Sequence, residues 1–533
     1  MTNRHPPALR RTAFAAAITA LGAAFTAGNA QAGSFDLPGD TGVQYTLTLG
    51  YALAMRTQGR DAALTDGPID PATGLPTTAN GDDGDRNFEA GSLINNRISA
   101  LGELFVTHRN YGAVVRGDAF YDDVYNRGND NDAPATINKS GEHDAFTHQA
   151  RKYDGRRARL LDAYAYGDWS IGRTGIDLRL GRQVVAWGES LFFSGVASAQ
   201  GPADATKANV PGVEVKNILL PVNQAFTQIS FAGGFSLAAY YHFEYKPTEL
   251  EPAGAYFSTS DVVGPGAQLL HVAYGYDIPR GRDDQPGDGG QYGVSVKYQL
   301  TGATNVGLYW LRYHDTNPAV LLDVAEVAPG TFAPVSYRIR YFDGIDMAAA
   351  SFSTRLGAAN VAGEVNWRDG ATVLVDTALG PTATRGKLAQ ALVSAIYTMS
   401  PNVLSQQIDL VGEAGWLHLA SVEAVSGSKT LSNDRDAWAL SGIATLNYRN
   451  VFSQWDLALP LTFSLLHGTP ALAGAFGSLY GDGDMRASVA ANFTWLQNLQ
   501  IGVGYNAFLG SANAAKRPYA DRDYAAINIK YSF

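Results

Sequence analysis

The chain has 533 residues, of which 58 are glycine, 27 tyrosine and none cysteine. The lack of thiols excludes disulfide scaffolds, thiolate metal sites and cysteine nucleophiles, and a charged fraction of 17% excludes disorder as a description of the whole chain. A formal net charge of -10, with no lysine-rich stripe against it, argues against nucleic-acid partners.

At the N-terminus, Arg4, Arg10 and Arg11 precede an apolar run from Thr12 to Thr26, and Ala30-Gln31-Ala32 has small-x-small spacing. Basic, apolar and small-residue zones in that order read as a secretory signal peptide over 1–32, leaving a mature chain of 33–533. Removing that segment takes away three arginines and no acid, so the net charge moves from -10 to -13.

Beyond it, no stretch approaches the roughly 20 apolar residues of a membrane helix. Alternation with period two recurs instead. Val43, Tyr45, Leu47, Leu49, Tyr51 and Leu53 share one face of a strand; Tyr292, Val294, Val296 and Tyr298 share another. Such strands are half wet and half apolar.

Alternation suits a soluble sandwich and a membrane barrel equally; the connections discriminate. Short links are read at 108–110, 170–174, 233–234, 301–303, 356–359, 399–404, 449–453 and 497–498, with a long polar loop expected between each pair. Strict long-short rhythm is how outer-membrane barrels are built. The reading is an all-β, antiparallel transmembrane barrel of about 18 strands in the outer membrane of a Gram-negative bacterium. Its last strand ends on Phe533, with Ile527, Ile529 and Tyr531 on the same face.

Parity then separates lipid from lumen. Leu161, Ala163, Ala165, Trp169, Ile176, Leu178 and Leu180 are expected outward. Asp162, Tyr164, Tyr166, Asp168, Asp177 and Arg179 are expected inward, as are Arg97, Glu103, Arg116, Asp118, Glu244, Lys297, Glu364, Asp409 and Glu413. The bland role for these charges is mutual pairing that braces a wide barrel.

One loop, 184–221, is too apolar for a solvated connection: Leu191, Phe192, Phe193, Val196, Val210, Val213, Ile218, Leu219 and Leu220 all lie in it. Exposed, that surface would be unfavourable by about 25 cal/mol per Å², so the loop is expected to fold into the lumen or across its mouth. The next loop, 246–289, is expected to cover it. In 184–221, Trp187, Phe192 and Phe193 are candidate apolar contacts for a solute; Glu189, Asp204, Lys207 and Glu214 are candidate polar linings. Arg97, Arg116, Tyr164, Tyr166, Arg179 and Arg182 complete the candidate solute path.

The same loop carries a resemblance. LRLGRQVVAWGESLFF with DATKANVPGVEVKNILLP, and also NRISALGEL, YGAVVRGDAFYDDVY, YKPTEL and YFSTSDVVGPGA, resemble an uncharacterised family of proteobacterial outer-membrane proteins catalogued as a domain of unknown function. Its members are often encoded beside a lipoprotein-sorting-like periplasmic protein and a resistance-nodulation-division permease. The resemblance implies envelope traffic of an apolar or amphipathic compound.

No enzyme is expected. There is no G-x-S-x-G elbow, Gly386-Lys387 is followed by Leu388 and makes no P-loop, and Gly502-x-Gly504 lies inside a strand. The acidic segments Asp82-Asp83-Gly84-Asp85, Asp130-Asn131-Asp132 and Asp482-Gly483-Asp484 offer oxygen ligands for calcium or for divalent bridges to lipopolysaccharide, but none has EF-hand spacing. They read as solvated loops, so neither metal nor cofactor is expected. The functional expectation is a passive channel for hydrophobic, aromatic or amphipathic small molecules, set in outer-membrane lipid and lipopolysaccharide. The alternatives are a general porin and a trafficking component working with the periplasmic protein and the inner-membrane permease.

Overall fold

The computed structural model describes residues 33–214 and 217–533. The expected signal segment lies outside the described residues. β1 (Gly33–Leu37) folds back on β2 (Thr41–Arg56). Then come β3 (Leu93–His108), β4 (Tyr111–Asp122), β5 (Arg156–Ile171), β6 (Thr174–Gln183), β7 (Val222–Ser230) and β8 (Phe235–His242). A small hairpin, β9 (Leu269–Ala273) and β10 (Tyr276–Pro279), precedes β11 (Tyr292–Gln299) and β12 (Thr304–Tyr313). A second one, β13 (Ala319–Ala328) and β14 (Thr331–Arg340), precedes β15 (Ile345–Leu356). Next follow β16 (Ala359–Thr377), β17 (Gly380–Met399), β18 (Gln407–Val422) and β19 (Asp436–Phe452). The wall ends with β20 (Trp455–His467), β21 (Met485–Trp495), β22 (Leu499–Leu509) and β23 (Tyr524–Ser532).

Nineteen strands share one sheet, and β1 only extends the edge of β2, so eighteen run round the wall. Antiparallel pairing of β2 with β23, from Thr48↔Ser532 to Arg56↔Tyr524, closes the barrel. Closure satisfies every wall strand on both edges, which is what hydrocarbon surroundings demand. The outward faces carry exposed Leu178, Leu180, Trp310, Trp416, Trp438 and Val503. At one parity exception, a bulge opposite Val115/Gly117 leaves Leu160 exposed and turns the expected outward Leu161 into a buried residue.

All eight expected short links are turns at one rim. At several the chain takes left-handed backbone, at Arg109 (φ 54°), Gly172 (φ 64°) and Gln497 (φ 65°), as tight hairpins require. The opposite rim carries the loops L1 (57–92), L2 (123–155), L3 (184–221), L4 (243–291), L5 (314–344), the two-residue turn L6 (378–379), L7 (423–435), L8 (468–484) and L9 (510–523). The expected long loop between 356–359 and 399–404 is absent. β16 and β17 instead continue as one tall ladder to Thr377↔Gly380. The residues 371–377 alternate like the wall itself, so nothing local in the sequence announces that the strand has left the barrel.

L1, L2, L4 and L9 pack together as a cap. Phe88, Tyr125, Phe146 and Tyr256 form its apolar centre, with Phe88 and Tyr256 edge to face at 5.2 Å. Around this centre lies a polar layer. Arg56 pairs with Asp85 at 2.6 Å and Asp521 at 2.9 Å, all three being buried. The segment Asp82-Asp83-Gly84-Asp85, expected in solvent, is therefore interior. The apolar residues of the cap lie too far apart in sequence to mark it in advance.

Candidate functional site

The site is the lumen as L3 leaves it. Inward parity on β16 and β18 presents Glu364 and Glu413 to the barrel interior, and L3 crosses from the β6–β7 side to reach both. Glu364 accepts the backbone N–H groups of Glu189 and Val196, each at 2.8 Å. Glu413 accepts those of Leu191 (3.1 Å), Phe192 (2.6 Å) and Phe193 (2.9 Å). Two carboxylates thus take the place of backbone partners along a stretch with no ladder of its own. Arg368 donates to the carbonyls of Ser194 and Gly195, both at 3.2 Å. At Gly188 (φ 101°) a Cβ would sit 2.5 Å from Glu364 Oε2, so the carboxylate's seat depends on that glycine.

Aromatic packing fixes the same arm. Trp187 lies 5.1 Å from Tyr240 and 6.2 Å from Tyr309, and Phe193 meets Phe476 of L8 edge to face at 5.3 Å. Leu311, Met347, Leu388 and Leu417, all inward from the wall, complete this cluster. Trp187 (7% exposed) and Phe193 (6%) are therefore plug material with little surface left for a solute; Phe192 is partly buried against them. Burial raises the Glu189 carboxyl above its usual value, with Lys297 opposing the rise and Glu364 adding to it.

The second arm of L3 is held by charge. Asp204 pairs with Arg159 at 2.6 Å, and Lys207 pairs with Asp118. Arg159 also reaches Asp118 (2.8 Å) and Glu249 of L4 (2.9 Å), while Arg157 binds Glu249 in bidentate fashion at 2.6 and 2.9 Å. L4 covers L3 through its backbone too: Ala205 N–H donates to Glu249 O, and Glu249 N–H to Ala203 O. Burial and the nearby Arg159 guanidinium lower the Lys207 ammonium below its usual value, while Asp118 works against them. Farther along, Arg116 bridges Glu103 and Asp162, each at 2.8 Å, and donates to Asn217 at 2.7 Å. Glu214 meets Lys530 at 2.5 Å.

This ion-pair network separates two spaces. On its loop side lies a vestibule of about 1270 Å³ lined by Glu249, Arg280, Arg282, Arg338 and Tyr341, among others. On its far side lies a cavity of about 240 Å³, lined by Leu101, Phe120 and Val213 together with the cations Arg97, Lys207 and Lys530 and the carboxylates Glu103, Asp118 and Glu214. A further space of about 480 Å³ lies across the tip Val210–Glu214, against Asn492, Asn506 and Asn528. There Gly502 makes room: a Cβ would lie 2.8 Å from Asn492 Oδ1.

The expected path residues divide accordingly. Arg97, Lys207 and Glu214 border the inner cavity, and Arg97 stacks 4.0 Å from the Phe120 ring centroid beside Asp122. Arg116, Asp204 and Glu189 hold L3 in place. Arg179 pairs along its own strand with Asp177 (3.1 Å) and lies over Phe226. Tyr164 and Tyr166, 6.5 Å apart, sit lower on β5. Arg182 has a buried Nε without a hydrogen-bond partner among the described residues. Arg157, Glu249, Arg368 and Lys530 were not singled out in the sequence, because each acts on a segment more than ninety positions away.

A closed barrel with an apolar outer face and a loop folded through its lumen belongs to the membrane-spanning class of β-barrels. The chain belongs to the family described as "Protein of unknown function (DUF1302)", whose model matches residues 13–533. No curated protein matches the sequence. Among solved structures it is similar to Salmonella typhi OmpF in complex with daunomycin, at 10% identity and a TM-score of 0.40 over 94% of this chain and 100% of that one. It is similar also to Acinetobacter baumannii OccAB1 (11%, 0.42, 95% and 99%) and Pseudomonas aeruginosa OpdK with vanillate (10%, 0.40, 92% and 98%).

Proposed function

We propose that the protein is an outer-membrane channel that passes small amphipathic molecules passively and performs no chemistry on them. Residues 1–32 serve as its targeting segment, the long loops face outward and the short turns face the periplasm. The observation that carries this reading is the cavity of about 240 Å³ beneath the ion-pair network, whose lining combines apolar Leu101, Phe120 and Val213 with Arg97, Lys207 and Lys530 and their paired carboxylates. Sites that orient small molecules combine an apolar lining with a few placed polar groups in this manner. A space of that size accommodates one aromatic ring with a polar end; an apolar engineered cavity of about 150 Å³ holds benzene. The apolar arm of L3 narrows the lumen, and the charged arm borders the path.

Planar-bilayer and liposome-uptake measurements test this. Aromatic acids should permeate faster than sugars of similar size, and deleting Ser190–Val196 should raise conductance and reduce that preference. Equal permeation of both classes, unchanged by the deletion, identifies a general porin instead. Absence of permeation by either class would favour the trafficking role with a periplasmic protein and a permease.

A further inference from the structure

In the cap, residues 80–86 of L1 lie against 255–261 of L4. Gly84 permits the approach: a Cβ there would lie 2.6 Å from Ala255 O and 2.7 Å from Ser258 O. Three buried carboxylates, Asp82, Asp83 and Asp261, are brought together, one oxygen of each lying within 4.8 Å of the others.

Their partners leave a deficit. Asp82 Oδ2 accepts from Arg86 Nε (2.5 Å) and Thr136 Oγ1 (3.0 Å). Asp83 accepts from Asn131 Nδ2 (3.2 Å) and the Asn138 N–H (3.4 Å). Asp261 Oδ2 accepts the Asp83 N–H at 3.0 Å. Among the described residues, Asp82 Oδ1 and Asp261 Oδ1 are buried and meet no donor. Asn138 Oδ1, on the residue that donates to Asp83, is a further buried oxygen without a donor. Among the described residues neither Asp83 nor Asp261 makes an ion pair, and both are almost wholly buried. Three buried carboxylates thus meet one paired cation, Arg86, with Lys139, His271 and Arg522 near but not in ion-pair contact. A surplus of buried negative charge is costly, so a cation or protons must complete the cluster.

We propose that Asp82, Asp83 and Asp261 form a calcium site that fastens L1 to L4. Calcium takes oxygen ligands at about 2.3–2.6 Å, so two of them on opposite sides of one ion stand about 5 Å apart, in keeping with the observed cluster. The set has no thiolate or imidazole to favour zinc or copper. Three buried carboxylates brought together by the protein suit calcium better than magnesium, which retains several waters and is bound through one or two carboxylates.

The test uses the full mature chain, refolded in detergent without lipopolysaccharide. Calcium should raise its melting temperature by several degrees over EDTA, and terbium should bind at one site per chain, displaced by calcium. Asp261→Asn should abolish both effects, yet in EDTA melt no lower than the parent, because it removes an uncompensated buried charge. Exposed Glu142 and Asp144 also cluster, with half-buried His143, and Asp144→Asn serves as the control that leaves both effects intact. Absence of a calcium shift and of terbium binding in the parent chain would overturn the proposal, as would their survival in Asp261→Asn. Should Asp261→Asn fail to fold, Asp83→Asn and the parent's terbium stoichiometry decide.

Discussion

The two arms of L3 fold into one lumen by different physics. The first, from Trp187 to Val196, is fixed by five backbone N–H groups on two carboxylates and by rings packed into an apolar cluster. The second, around Asp204–Glu214, hangs on ion pairs with Asp118, Arg159 and Lys530 and borders open space. Backbone anchoring holds a segment in one position, whereas long charged side chains tolerate displacement. On the function proposed above, the first arm would set the size of the lumen and the second would lie where a passing solute meets it.

The largest expected effect is on the first arm. Glu413→Ala strands three N–H groups, that of Phe193 buried and those of Leu191 and Phe192 partly so, at a cost of about 1–3 kcal/mol for the buried one, and should release the plug. Single-channel conductance should rise several-fold; an unchanged conductance would show that the arm does not limit the lumen. Trp187→Ala empties a packed position and should cost about 3–5 kcal/mol, read as a lower melting temperature with the barrel still assembled. Little loss would mean that the aromatic cluster is not what holds the arm.

A smaller effect is expected from pH. Burial pushes the Asp154 carboxyl in L2 up to about 8, with Arg97 opposing and Asp122 and Asp204 adding to the rise. Against about 3.9 in the unfolded chain, it is protonated in the fold. The stability it gives is complete below about 3.9 and declines as pH rises through 8. Melting temperature should fall between pH 6 and pH 9, and Asp154→Asn should flatten that slope; identical slopes would refute the assignment. The smallest effect belongs to Lys530→Ala at the tip of the second arm. Its exposed pair with Glu214 contributes about 0–1 kcal/mol, so stability should hold while the ratio of acid to sugar permeation changes. A large loss of stability would erase the distinction between the arms.

Much of the architecture is local and hence legible in the sequence. Period-two faces and short polar links such as 108–110 and 497–498 depend on neighbours along the chain, and they locate all eight turns of one rim. The inward course of 184–221 follows from its apolar content alone. What composition leaves open is the destination of each side chain. Glu364 and Glu413 carry the parity of lumen residues, but their work as acceptors for residues 189–196 depends on a contact across the barrel. Trp187 and Phe193 are apolar either as a lining or as a core, and only Tyr240 and Phe476 decide between them. For the same reason Asp82-Asp83-Gly84-Asp85 looks like solvent-facing chain until L4 is laid against it.

The wall is of very uneven height. β7, β8 and β11 have 9, 8 and 8 residues, whereas β16 and β17 have 19 and 20. A strand crossing a bilayer uses about 9–11 residues, so the low side has no length in reserve and the high side has a surplus. Hydrophobic mismatch costs fractions of a kcal/mol per Å, and here it falls on one flank alone. That flank is where L3 re-enters the wall at Val222 and where L4 departs after His242. A thicker bilayer would therefore pull on the roots of the two lumen-filling loops while leaving the tall hairpin untouched, making lipid thickness a mechanical input to the width of the pore.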